Sequence, residues 1–253
     1  MERDFRTGYI QIDVPVQPFD SPVSLLGRAL LVFFANLPFL AAITSLIYLP
    51  GKLVTQFALS ALQVGPLAGG LVEALVDMLL TALAAPAVIF GIVARIRGGT
   101  PSIGESVRWG RRLWTRSLWN QFKVNVTILL WGALFIIPGL FAMARLMFTD
   151  AIVAIEADRE PDPLARSTEM TAGRRGRVLA VIVPLIVLDF AGYWLILRPL
   201  RGAGHGPAVL ALIDSLMAVV NQLSAVAALL MYLGSGSANP TVERPYAQAT
   251  RRS

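Results

Sequence analysis

The sequence predicts an all-α fold: a polytopic transmembrane helical bundle of about six spans, with a Pro-Gly helical hairpin and two cytoplasmic surface helices. Three observations carry that expectation. Hydrophobic residues fill 55% of the 253 positions and charged residues only 15%, against about 25% charged in an ordinary soluble domain. Mean hydropathy is +0.64. The charges are also clustered, leaving apolar runs of about 20 residues, the length a helix needs to cross a hydrocarbon layer of roughly 30 Å.

The chain divides into a polar cytoplasmic N-terminal segment (1–23), a single transmembrane helical domain (24–233) and a polar cytoplasmic tail (234–253). The first twenty residues lack an apolar stretch of leader type, so the first span is expected to act as an uncleaved anchor. Spans are expected at 29–48, 74–94, 121–137, 140–157, 178–197 and 207–233. The run GKLVTQFALSALQVGPLAGG (51–70) is broken by Gly and Pro and reads as a loop with a short interfacial helix. Without cysteine, disulfides and thiolate metal sites are excluded.

Basic residues orient the chain. Of the 22 Lys and Arg, only Lys52, Arg198 and Arg201 fall between spans on one side, and Arg145 falls inside the membrane. The rest flank the other side, so both termini are placed in the cytoplasm. The basic segments before 124 and after 156 must then share a face. A straight helix over 124–156 would be about 50 Å long and would separate them. Pro138 and Gly139 are therefore expected to turn the chain into a hairpin, either crossing twice or forming a re-entrant loop.

Between the second and third spans, Ser102-Ile-Gly-Glu105 matches a capping box. The helix it starts places Ile103, Val107, Trp114, Leu118 and Phe122 on one stripe, with Arg108, Arg112 and Arg116 opposite. That pattern reads as a basic interfacial helix. After the hairpin, Asp162-Pro163 and Gly173 bracket a second short helix (163–172), with Glu160 and Asp162 near its positive end. Arg174, Arg175 and Arg177 follow it. These arginines are candidate contacts for anionic lipid, or simply positive-inside anchors.

The order GGTPSIGES, then IIPGL with an arginine following, then DPLARSTEMTAGRRGR resembles a bacterial membrane-domain family. That family occurs alone or fused to glycerophosphoryl diester phosphodiesterases and is related to the YciC-like inner-membrane proteins. The motifs are most specific over 84–180. The resemblance implies a polytopic helical inner-membrane protein, mostly of uncharacterised activity. The charged ending of many members is replaced here by LGSGSANPTVERPYAQATRRS.

Within the spans, a charge near mid-bilayer costs about 2.5–3.5 kcal/mol and needs a partner. Glu73 and Asp77, four apart near the outer end of the second span, form an acidic pair that could bind a cation or stand in solvent. Arg145 and Asp150 are about 140° apart on one helix and cannot pair cleanly. Arg145 is therefore expected to snorkel outward or to pair across the bundle, with Asp189 and Asp214 as partners and Asp150 nearby. Asn36, Asn221 and Gln222 could join that network. Such a cluster would fix helix register, or form a polar path for protons or lipid headgroups.

No catalytic motif, metal spacing or cofactor site is evident. His205 is the only histidine, between two glycines, and the tryptophans suit a membrane interface better than base stacking. Enzyme and nucleic-acid roles are thus not expected. The leading expectation is a scaffold or accessory protein of the inner membrane, with anionic lipid and a membrane or cytoplasmic protein as partners. The alternative is a lipid or small-solute carrier using the intramembrane charges.

Overall fold

A computed structural model describes residues 21–157 and 162–236. The reading of the N-terminal segment, the bulk of the C-terminal tail and Glu160 lies outside those residues. The described chain is helical throughout, without a strand. Five segments are long and apolar enough to cross a membrane: Leu37–Ala61, Pro66–Ile96, Ile136–Ile155, Arg175–Arg201 and Pro207–Ser235. Their exposed sides are strongly apolar. Only 17% of the Arg175–Arg201 window is buried inside the bundle, and Leu129, Phe135, Ile136 and Leu195 stand bare at the surface. An apolar exterior of this extent is compatible with an integral membrane protein.

Helix α1 (Pro22–Ala35) starts at Ser21, whose hydroxyl and backbone exchange a capping box with Ser24. It ends at Asn36, and α2 runs from Leu37 to Ala61. The expected first span at 29–48 thus straddles a break. Pro38 has no N–H and its ring excludes a preceding helical turn, so it opens α2 instead of lying inside a span. The expected loop over 51–70 is corrected too. Helix α2 passes through Pro50 unbroken, and only Leu62–Gly65 connects it to α3 (Pro66–Ile96). Gly51 gives room to the Leu80 side chain, whose Cδ2 a Cβ at 51 would meet at 2.8 Å. Within the stretch only Gly65 and Pro66 mark the connection, as N-cap and first residue of α3.

The capping box at Ser102 and Glu105 starts α4 (Ile103–Leu134), a single helix of 32 residues. It lies against α3 along its length. The expected interfacial helix and third span are therefore one element. Its buried stripe is not the apolar one read from the wheel but Ser106, Trp109, Gly110, Leu113, Ser117, Asn120 and Gln121. Trp114, Trp119 and Phe122 are exposed. The indole N–H of Trp114 donates to Leu79 O at 3.0 Å, and that of Trp109 to Ala154 O at 3.1 Å.

The chain breaks at Phe135, whose backbone is extended (φ −160°, ψ 149°). Pro138 and Gly139 follow in the first turn of α5 (Ile136–Leu146), where Pro lacks only a donor that would be unpaired anyway. Gly139 allows the return past Gly132, whose Cα a Cβ at 139 would meet at 2.9 Å.

Helix α6 (Thr149–Ile155) continues α5 after a kink at Met147-Phe148. Helix α7 (Pro163–Thr171) closes that kink. Asp162 caps it through the N–H groups of Leu164 and Ala165, and its buried face is Pro163, Ser167 and Thr171. The Ser167 hydroxyl donates to Arg145 O at 2.8 Å and accepts from Phe148 N at 3.1 Å. One side chain thus satisfies both backbone groups that the kink leaves unpaired. Ser167→Ala should cost about 1–3 kcal/mol by orphaning the Phe148 N–H and leaving Arg145 O only the long 3.5 Å bond from Thr171 Oγ1, read as a lower unfolding midpoint. Thr168→Ala, one residue on, should change it by less than about 0.5 kcal/mol.

Gly173 adopts φ +74° after α7, a conformation suited to glycine. Helix α8 (Arg175–Gly192) passes through a π turn (Tyr193–Leu197) into α9 (Arg198–Gly202). Helix α10 (Pro207–Gly236) packs on α1, α2 and α8.

Candidate functional site: a charged cavity inside the bundle

Two pairs of residues one helical turn apart build the site: Lys52 and Gln56 on α2, and Glu73 and Asp77 on α3. The α2–α3 turn brings these faces together, and Asp214 of α10 and Arg201 of α9 complete the group. Lys52 Nζ lies 2.6 Å from Asp77 Oδ1 and 3.9 Å from Asp214 Oδ2. Arg201 spans two carboxylates, with one terminal nitrogen 2.9 Å from Glu73 Oε2 and the other 3.1 and 3.2 Å from the oxygens of Asp214. The Gln56 amide nitrogen donates to Asp214 Oδ2 at 2.9 Å and Glu73 Oε1 at 3.2 Å. Lys52 and Asp214 are both buried. Pairing is what permits charge there, because a lone buried ion loses its hydration without return.

This network sits in the wall of a half-open cavity of about 1080 Å³ lined by α2, α3, α4, α5, α6, α8 and α10. Its volume is at the upper end of small-molecule sites, which run about 300–1,000 Å³. Along α10 the lining extends from Leu210 to Ala228, about 27 Å of helix. The ion-paired network lies toward one end, where Tyr48 OH and Thr81 Oγ1 also meet at 2.6 Å, and Asn221, Gln222 and Ser224 carry polar groups further along α10. Ile89, Ile128, Ile182 and Leu185 are apolar parts of the remainder. Asp150 and Asp189 also line it. With the Asn221 amide turned to satisfy its neighbours, its nitrogen donates to Asp189 Oδ1 at 2.9 Å and Met217 O at 3.2 Å. Asp150 also borders a second cavity of about 410 Å³ shared with Gln121.

The expected intramembrane group is thus divided. Asp150, Asp189 and Asp214 line one cavity, but Arg145 does not. Among the described residues it makes no ion pair, and Asp214 takes Arg201 and Lys52 instead. The acidic pair Glu73 and Asp77 is not simply solvated either, since each carboxylate has a cation. Among the described residues, no group of three or more metal-ligating side chains is placed to hold a metal. At the other end of the bundle, Tyr232 OH donates to Glu156 Oε1 at 2.6 Å. Arg95 lies 4.3 Å over the Phe39 ring. Of the arginines expected to meet lipid, Arg108, Arg112, Arg174 and Arg177 are exposed, and Arg116 and Arg175 are half-buried.

Sequence reasoning missed Lys52, Gln56 and Arg201 as site residues. The signal was present: Lys52 and Arg201 are cations on the cation-poor side, at the depth of Glu73 and Asp214. No family model matches this chain, and no curated protein or solved structure matches it.

Proposed function

We propose that this is an integral membrane protein that binds an amphipathic molecule, a lipid or a lipid-like solute, in its internal cavity. The observation that carries the reading is the cavity itself, long, apolar along most of its wall and charged toward one end. Such a gradient matches a ligand with a polar head and an apolar body. In this reading the charged end lies on the outer side, since the basic flanks of the other helix ends mark the cytoplasmic face. Both termini are then cytoplasmic, in a bacterial inner membrane, consistent with the family that the motifs resemble.

Native mass spectrometry of the gently extracted protein tests this. Ala225 lines the cavity, and Ala225→Phe places a ring in it. Retained lipid should drop at least several-fold while helicity and monodispersity are kept. Unchanged lipid retention in the folded variant would remove the binding role.

A scaffold or accessory role is the second reading. It draws on the exposed Arg108, Arg174 and Arg177, which present charge to an anionic membrane surface or an acidic partner.

A further inference from the structure

The cavity lining is unbalanced in charge, and the imbalance indicates the sign of its ligand. Lys52 and Arg201 are the basic groups in the lining; Glu73, Asp77, Asp150, Asp189 and Asp214 are the acidic ones. Both cations are already engaged, Lys52 by Asp77 and Asp214, Arg201 by Glu73 and Asp214. Even this network holds one carboxylate more than it has cations. Asp150 and Asp189 add two more, and neither has a cationic partner among the described residues. Asp189 receives the neutral amide of Asn221, and the polar neighbour of Asp150 is the neutral Gln121. Arg145, the cation expected to serve them, is not part of the lining.

An anion entering this space would find no free cation, because Lys52 and Arg201 could receive it only by releasing their own carboxylates. A cation would meet Asp150 and Asp189, two carboxyl groups without a counter-ion, and would supply the charge that lets an otherwise unpaired carboxyl ionise there. Tyr193 also lines the space, and an aromatic ring face attracts a cation.

We propose that the cavity takes an amphiphile with a positive charge, an ammonium or other organic cation on an apolar body, its charge met by Asp150 and Asp189. The proposal rests on the reading of the cavity as a binding site. It sets the cavity apart from the basic cytoplasmic rows, whose partners are expected to be anionic.

Tetraphenylphosphonium and tetraphenylborate have the same shape and opposite charge, which makes them a matched pair of probes. Binding of each to the full chain would be measured by equilibrium dialysis in neutral detergent. Tetraphenylphosphonium should bind saturably, with one site per chain, at least tenfold tighter than tetraphenylborate. Asp150→Asn combined with Asp189→Asn should weaken it at least tenfold. Should the pair not fold, Asp189→Asn alone should weaken it several-fold.

Equal or tighter binding of the borate overturns the proposal, and so does binding of neither ion or phosphonium binding indifferent to the Asn variants. If Ala225→Phe still lowers retained lipid in those cases, the cavity remains a binding site and only the sign of its ligand falls. If lipid retention is also unchanged, both readings fall together.

Discussion

Arg201→Gln should lower the unfolding midpoint of the purified protein by roughly 10 °C, a larger loss than neutralising either of its carboxylate partners. The guanidinium joins α9 to α3 through Glu73 and to α10 through Asp214. Its removal leaves Glu73, Asp77 and Asp214 facing Lys52 alone. Gln56 already donates to two of them and has no further cationic capacity. Breaking a buried pair by deleting one partner typically costs about 3–5 kcal/mol, because the surviving charge stays buried and uncompensated. For a chain of this size each kcal/mol moves the midpoint by roughly 2–4 °C.

The reverse change differs in kind. Asp214→Asn leaves Arg201 paired with Glu73, and an amide can still accept from Gln56. Combining Arg201→Gln with Asp214→Asn should therefore recover much of the loss of Arg201→Gln alone, a coupling that a double-mutant cycle reads directly. Arg201→Lys should rescue only in part, since one ammonium cannot reproduce the fork that holds two carboxylates. Additive losses in the double variant would show that the three side chains are neighbours without being coupled.

Which parts of this arrangement were legible in the sequence follows from how local each signal is. The caps at Ser102–Glu105 and Asp162, and the glycine after α7, depend on three or four consecutive residues and could be read directly. The apolar character of the long helices was equally plain. The break at Phe135 was placed a few residues late, because Pro138 is compatible with a first helical turn as well as with a turn between helices. The pairing of Arg201 with Glu73 and Asp214 depends on three helices meeting, which no single stretch reveals. Depth along each span was the only clue, and it was spent on Arg145. The stripe on α4 was misread for a different reason. The buried side is chosen by packing and not by apolar periodicity: Ser106, Gly110 and Ser117 let α3 approach closely, and Trp109 is held inside by its bond to Ala154 O.

That reasoning makes Gly110 the position with the clearest expected sign. A Cβ there would lie 2.5 Å from the carbonyl oxygen of Leu83 and 3.0 Å from Ala87 Cβ. The first of these is backbone and cannot rotate away, so α3 and α4 would have to separate. Forcing extra volume into a packed interface costs about 1–3 kcal/mol, and Gly110→Val should exceed Gly110→Ala as the bulk grows. Gly104 provides the opposite case in the same helix. It is exposed, nothing lies within 4 Å of its would-be Cβ, and alanine is favoured over glycine by up to roughly 0.5–1 kcal/mol, the full value belonging to a helix interior and a smaller one to this first turn. Gly104→Ala should therefore raise the unfolding midpoint while Gly110→Ala lowers it. If α4 instead lay along the membrane surface, away from α3, both glycines would be open positions and both substitutions would stabilise. Opposite signs at two glycines six residues apart thus separate a helix packed on its neighbour from one resting on lipid.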